Sequence, residues 1–305
     1  MTYQPASTSE LAALLTEAHG GATPLRIVAR GTWPEATRTV RADARPLDIS
    51  RIAGIVEYVP GDLTLTARAG TTIVEIDDAT AAHGQWCPLL PWGGDDGTLG
   101  ATMATATTGP CAAALGTPRD LALGLEFVDG AGNVARGGGR VVKNVAGFDL
   151  TRLLVGSWGT LGVITELSVR LRARPPVDET WCLTLDPNDD AVRARLDGFR
   201  RGPYAPLSCE LVHGAAARAA GLAHDGALVR LGGNRAFVAA SLAALRTVGD
   251  ASPHDPAIWA RVRALHAAPA LDSLAHALDR PLEQRVKALF DPRRILNPGL
   301  FGEAA

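Results

Sequence analysis

The sequence predicts an α+β protein in two parts: a longer, glycine-rich N-terminal part and a smaller α/β part built on an antiparallel sheet. Three observations predict it. Strand-like alternation and capped helices succeed one another over residues 1–175. The adjacent prolines Pro175-Pro176 then break the pattern. Beyond them, short strands and helices alternate in an order compatible with a small antiparallel sheet covered by helices. At 305 residues the chain can bury a substantial core in two domains.

Taken in order, Ser7-Thr8-Ser9-Glu10 is a capping box opening a helix with an apolar stripe at Leu11, Leu14 and Leu15, stopped by Gly20-Gly21. A short strand, Leu25 to Ala29, runs into Arg30-Gly31-Thr32. Ile55–Val59 and Leu63–Ala69 read as paired strands, the second alternating apolar and polar residues. A second capping box, Thr72 to Glu75, opens a helix to about His83. Gly93 to Gly109 is almost entirely glycine, alanine and threonine, a composition suited to close backbone approach rather than to side-chain packing. A strand from Leu121 to Val128 turns at Asp129-Gly130, and after Gly156–Gly162 another strand alternates from Val163 to Leu171. Past the prolines come strand Trp181–Leu185, a helix at 189–200, strands Leu207–Val212 and Ala227–Leu231, and a helix at 235–247. Leu282–Phe290 is a helix followed by a proline-rich tail.

Composition excludes several classes. Hydrophobic residues are 47% and charged residues 20%, with a formal net charge of -2, so no basic footprint for nucleic acid and no polybasic membrane patch is present. No apolar run reaches the roughly 18 residues of a membrane span. The start lacks a basic region followed by an apolar stretch, so a cytoplasmic location is expected. Cys87, Cys111, Cys182 and Cys209 show no CxxC spacing and are expected as buried small hydrophobes. Iron–sulfur chemistry, if used, belongs to another subunit.

Gly130-Ala131-Gly132-Asn133-Val134-Ala135 is formally GxGxxA, but a turn precedes it and Gly137-Gly138-Gly139 follows, which is incompatible with the strand–helix junction of a Rossmann site. More informative are Gly31-Thr32, Thr98-Leu99-Gly100-Ala101, Gly109 and Gly159-Thr160-Leu161-Gly162. Small residues with free amides can bind a diphosphate through backbone nests and hydroxyls.

These segments also resemble a known family. Thr98–Ala104 with Gly109-Pro110, Arg119-Asp120 before a strand, VVKNVAGFDLTRLLVGSWGTLGVITEL from Val141 to Leu167, and Asn297-Pro298-Gly299 are together similar to the FAD-binding oxidases and dehydrogenases of the vanillyl-alcohol-oxidase (PCMH) type. The lysine–asparagine form KNVAGFDL resembles, more narrowly, the smaller FAD-binding subunit of bacterial glycolate oxidase. The resemblance covers residues 1–175 and 281–301. It implies a two-subdomain PCMH-type FAD-binding domain over 1–175, a reduced substrate or cap-like domain over 176–280, and a C-terminal helix and tail, 281–305, returning to the FAD domain.

The cofactor so implied is FAD. Arg30, Gly31, Thr32 and Trp33 would form the first pyrophosphate loop, and Thr98, Leu99, Gly100, Ala101 and Gly109 the second. Gly162, Val163 and Ile164 would meet the adenosine part through backbone groups, Asn144 and Asp149 would assist, and Asn297 would approach the flavin. Three departures stand out. Arg30-Gly31-Thr32-Trp33 has one glycine where relatives have three, Ala106 stands where many have asparagine, and no histidine follows the first loop, so FAD is expected to be non-covalent.

Oxidising a 2-hydroxy acid needs a base for the hydroxyl proton and a cation for the carboxylate. The seven histidines offer no metal-binding arrangement, and no catalytic residue is visible. Glu210, His213 and Arg230 are more simply ordinary surface or core residues. The resemblance implies a flavin subunit of a multi-subunit 2-hydroxy-acid (glycolate) oxidase, beside a larger FAD-binding subunit and an iron–sulfur subunit. Membrane contact would come only through those partners. The alternatives are a free-standing FAD-dependent dehydrogenase and a scaffold subunit that keeps the fold.

Overall fold

The structure, a computed structural model, describes residues 2–31, 40–94, 96–139, 149–186, 188–265 and 281–300. Helix α1 (Thr8–Gly20) begins where the Ser7 hydroxyl accepts from the Glu10 amide, and it buries Leu11 and Leu15. Strand β1 (Leu25–Val28) pairs in parallel with β2 (Arg45–Asp48), which sequence reasoning does not identify. β3 (Ile55–Val59) and β4 (Thr64–Arg68) pair antiparallel as the alternation predicts. α2 (Ile73–Ala81) starts on the Thr72/Glu75 capping box, and β5 (Gln85–Trp86) follows. The small-residue stretch contains a helix, α3 (Leu99–Thr105), and short turns α4 (Ala112–Leu115) and α5 (Pro118–Leu121) lead to β6 (Ala122–Val128) and β7 (Val134–Gly138). α6 (Leu150–Leu154), β8 (Val163–Arg170) and β9 (Arg172–Ala173) complete this part.

β3, β4, β8, β6 and β7 form one five-stranded antiparallel sheet in that order. The GxGxxA pattern lies in the β6–β7 connection, where Asp129 Oδ1 accepts from the Ala131 and Asn133 amides in a tight Asx turn. The core between sheet and helices joins Leu11 and Leu15 of α1 to Leu65, Phe127, Leu167 and Val169 of the strands. Two carboxylates, Glu126 and Asp291, are buried among the described residues. Glu126 is 8% exposed and receives Thr8 Oγ1 and Thr165 Oγ1, both at 2.9 Å, on one oxygen and the Arg136 guanidinium on the other.

Burial pushes the Glu126 carboxyl up, but the hydrogen bonds from Arg136, Thr165 and Thr8 outweigh it and hold the group below its ordinary value. A depressed folded value contributes stability that is complete above the unfolded value of about 4.3 and is lost as pH falls through the folded one. Glu126→Gln is therefore expected to flatten that acid limb and to lower stability at neutral pH by about 1–3 kcal/mol. Denaturant unfolding of both proteins at neutral and acid pH checks this.

The second sheet is built from β10 (Val177–Thr184), β11 (Ser208–Val212), β12 (Gly226–Gly233) and β13 (Ala251–His254), antiparallel in the order β11-β12-β10-β13. Residues alternate between its faces. Cys209, Leu183 and Val229 pack with α7 (Asp190–Arg200) and α9 (Arg235–Arg246). Val212, Leu228 and Cys182 pack with α8 (Gly214–Ala220), α10 (Ile258–Ala264) and Trp92. α11 (Pro281–Phe290) and the following tail return to the first core, where Ile295 and Leu296 are buried and Leu296 bridges Leu25 in parallel.

The four cysteines are free; Cys87, Cys111 and Cys209 are buried, and burial pushes the Cys87 and Cys209 thiols up to about 12. Among the described residues no helix is long and apolar enough to cross a membrane, and no group of three or more His, Cys, Asp or Glu is placed to hold a metal ion.

Candidate functional site

A part-open cleft lies where four segments converge. The end of β1 supplies Ile27 to Gly31, and α3 supplies Gly100, Ala101, Thr102, Ala104 and Thr105 beside its N-cap Thr98. The turn before β8 supplies Trp158 and Gly159, and the start of that strand Gly162, Val163 and Ile164. The 91–97 loop adds Pro91, Trp92, Gly94 and Gly97, and Ile49, Thr107 and Asn297 close the remainder.

Local sequence explains why these walls hold. Thr72 and Thr98, the N-caps of α2 and α3, face each other through an antiparallel bridge. The α3 amides are spent within the chain: Leu99 N donates to Thr71 O and Gly100 N to Ala69 O, both at 2.8 Å, and Ala101 N to Thr98 Oγ1 at 3.2 Å. α3 therefore offers the cleft a close backbone wall rather than free helix-end donors. Gly100 permits this, since a Cβ there would meet Ala69 Cβ at 2.5 Å. The Trp158 turn docks on the other end of α3 through Gly156 N to Met103 O, 3.0 Å, and Trp158 N to Ala104 O, 2.8 Å. The 91–94 loop is held from the second sheet's side, where Gly93 N donates to Arg263 O and Arg263 Nη1 to Pro91 O.

Asn297 joins the opposite walls. It is 3% exposed; its Oδ1 accepts from Ile27 N and its Nδ2 donates to Trp158 O, both at 2.7 Å. Strain gathers here as well. Of the non-glycine residues with positive φ among the described residues, Trp158 (55°) and Asn297 (44°) line the cleft, and Leu90 (29°) and Ala106 (51°) adjoin lining residues. Such outliers concentrate at functional sites. Ala106 caps α3 in the left-handed region, which alanine tolerates less well than asparagine or glycine. Ala106→Gly should raise stability by about 0.5–1 kcal/mol, the strain relief exceeding the added backbone entropy. A rise in melting temperature checks it.

Of the residues singled out in the sequence, Arg30, Gly31, Thr98, Gly100, Ala101, Gly162, Val163, Ile164 and Asn297 come together in the cleft. Leu99 does not line it but is fully buried in the core. Gly109 also stays out, packed so that a Cβ would collide with the Leu90 carbonyl. Asp149 is an exposed N-cap of α6, accepting from Arg152 N at 2.9 Å. Thr32, Trp33 and Asn144 lie outside the described residues. Arg230 is engaged elsewhere, bidentate on Asp178 at 2.6 and 2.8 Å and stacked on Trp86. His213 is the exposed residue preceding α8, and Glu210 sits on β11, its carboxyl pushed up by burial. Sequence reasoning missed Ile49, Trp92 and Thr107. Thr107 and Trp158 fall inside the quoted stretches, whereas nothing in Pro91-Trp92 marks it.

FAD joins two flat ring systems through a diphosphate, and the cleft suits such a molecule. Ile27, Ile49, Val163, Ile164 and the two indoles give apolar walls, and glycines at 31, 94, 97, 100, 159 and 162 bring backbone to the surface. Cβ atoms on Gly31 and Gly94 would meet no protein atom within 4 Å. Arg30 adds a half-exposed cation, 3.6 Å from Asp96.

Residues 1–138 match the FAD binding domain family. Glycolate oxidase subunit GlcE of Escherichia coli (strain K12) is 42% identical over 154 residues, 50% of this chain and 43% of that protein. Glycolate oxidase subunit GlcD of Bacillus subtilis (strain 168) is 34% identical over 158 residues, 52% of this chain and 33% of that protein. D-lactate dehydrogenase of Archaeoglobus fulgidus is 32% identical over 212 residues, 70% of this chain and 47% of that protein. The matched region thus spans less than half the length of each of these relatives. An alkyldihydroxyacetonephosphate synthase superimposes on 86% of this chain and 55% of its own with a TM-score of 0.66 at 18% identity. Phl p 4.0202, a glucose dehydrogenase, does so on 84% and 53% with a TM-score of 0.61 at 14% identity. Those two likenesses establish the fold alone. Residues 1–138 thus carry an FAD-binding domain, with FAD as its cofactor, and the chain is similar over half or more of its length to glycolate oxidase subunits and to a D-lactate dehydrogenase.

Proposed function

We propose that this chain is the FAD-binding subunit of a multi-subunit 2-hydroxy-acid oxidase of the glycolate-oxidase kind, working beside a larger FAD-binding subunit and an iron–sulfur subunit. The observation that carries the reading is the glycine-lined, apolar-walled cleft in a chain similar to subunit GlcE. Residues 1–175 with the C-terminal 281–305 would form the cofactor-binding part, and 176–280 its cover. Bound flavin supplies a two-electron acceptor for the hydride of a substrate such as glycolate. The chain's own residues bind and orient. Ile27, Ile49, Val163 and Ile164 would flank the rings, the backbone at Gly31, Gly94, Gly97 and Gly159 would approach the diphosphate, and Arg30 would offset its charge. The cofactor is held without a covalent bond in this reading.

A second reading, a scaffold subunit that keeps the fold, draws on the cleft wall itself, where Arg30 is the ionisable side chain among the described lining residues. One experiment separates the two: the chain purified alone, its flavin released by denaturation and quantified, then titrated with glycolate. About one FAD per chain, together with copurification of a second flavoprotein and an iron–sulfur protein from the native host, supports the first reading, whereas flavin that glycolate reduces in the chain alone favours a free-standing dehydrogenase. Flavin that no 2-hydroxy acid reduces moves substrate oxidation to a partner, and a colourless chain that takes up no FAD supports the scaffold.

A further inference from the structure

The most enclosed ion pair among the described residues lies behind the cleft, not in it. Lys287, on α11, and Asp291, just beyond that helix, are 2% and 0% exposed at the side chain and 2.8 Å apart. The three ammonium protons of Lys287 have three acceptors: Asp291 Oδ2, Thr160 O at 2.6 Å and Leu296 O at 3.1 Å. Asp291 in turn accepts from Ile295 N at 3.0 Å and Leu296 N at 2.9 Å. Against Asp291 packs Gly130, where a Cβ would meet Oδ1 at 2.5 Å, and Gly130 N donates to Phe290 O. The knot is fully satisfied, the condition under which a buried polar network specifies one arrangement.

What it arranges are the two walls of the cleft. Thr160 closes the turn that carries Trp158 and Gly159, its N and Oγ1 both donating to Ser157 O. Leu296 bridges Leu25, two residues before Ile27. Asn297, next along the tail, then ties Ile27 N to Trp158 O. Lys287 therefore holds, from behind, the same two segments that Asn297 spans from within.

We infer that Lys287 and Asp291 are positioning residues for the flavin site, fixing the separation of the β1 end from the Trp158 turn. The inference rests on the cleft being where FAD binds. It assigns cofactor affinity to side chains that touch no part of the cleft.

The test is Lys287→Met, with Leu245→Ala as a control that destabilises through the distant core of the second sheet, where Leu245 is fully buried on α9. Apo thermal stability, FAD affinity by flavin fluorescence, and the visible circular dichroism of bound flavin are read for both. Lys287→Met is expected to weaken FAD binding at least tenfold and to change the dichroism band, whereas Leu245→Ala lowers the melting temperature with affinity and band kept. Equal affinities and identical bands in the two variants would overturn the inference. Should Lys287→Met fail to fold, hydrogen exchange on the wild-type chain decides: FAD should slow exchange at the Ile295 and Leu296 amides, because coupling is reciprocal. Unchanged exchange there overturns it. A wild-type chain that binds FAD only outside this cleft, or not at all, overturns the inference together with the reading it rests on.

Discussion

Asp291→Ala is expected to remove about 3–5 kcal/mol of stability, the range for breaking one side of a buried ion pair. The loss has separate parts. The Lys287 ammonium, 2% exposed, loses its only charged partner among the described residues while remaining enclosed. Two buried amides, Ile295 and Leu296, lose their acceptor. The turn beyond α11 keeps its backbone bonds, Asp291 N to Lys287 O and Arg294 N to Asp291 O, but loses every side-chain tie from position 291, and Arg294, with φ of 52°, must hold its left-handed conformation on the backbone bonds alone. Against the roughly 5–15 kcal/mol of an ordinary domain, such a change removes much of the margin. Asp291→Asn, which keeps an acceptor but not the charge, should fall between the two. Denaturant unfolding of the apo chain measures all three. A loss below about 1 kcal/mol for Asp291→Ala would mean that water reaches Lys287 once the carboxylate is gone, because solvated pairs contribute no more than that.

Local signals were legible in the sequence wherever one residue type forces one geometry. Thr72/Glu75 announces α2 because a capping box satisfies helix-end amides reciprocally, whereas at α1 only half of the expected box forms: Ser7 caps the Glu10 amide, but the Glu10 carboxylate accepts from Ala6 N instead of Ser7 N. β4 and β8 are visible through alternation, since each has one face in the core. β2 is not, because Arg45-Pro46-Leu47-Asp48 contains a proline and buries only Leu47. α8 is alanine-rich and opens on His213 without a side-chain cap, so no start signal exists. α3 hides for a different reason: it is only seven residues long, and Gly100, fitted against Ala69, interrupts the pattern with a residue that reads as a helix breaker. The glycine-rich cleft segments could be found because backbone approach demands small residues. The ties that hold those segments could not. Lys287 meets Thr160 across 127 residues of chain and Asn297 meets Ile27 across 270, and neither pairing has a local pattern.

Asn297→Ala should cost about 2–6 kcal/mol, from two orphaned groups at about 1–3 kcal/mol each, and weaken FAD binding at least tenfold. The Ile27 amide and the Trp158 carbonyl both lose their partners at a position only 3% exposed. Alanine must also adopt a φ of 44°, which asparagine accepts more readily. The effect on binding follows from Trp158, whose φ of 55° is unfavourable for a bulky residue. That conformation is held by its own amide on Ala104 O and by Asn297 on its carbonyl. Released on one side, the turn can relax and carry the indole out of the cleft wall. Asn297→Asp separates the two ties. It keeps an acceptor for Ile27 N but sets a carboxylate oxygen against the Trp158 carbonyl. If the Trp158 tie sets the flavin site, Asp should weaken FAD binding as much as Ala while losing less stability. If the Ile27 tie does, Asp should bind FAD nearly as well as the wild type.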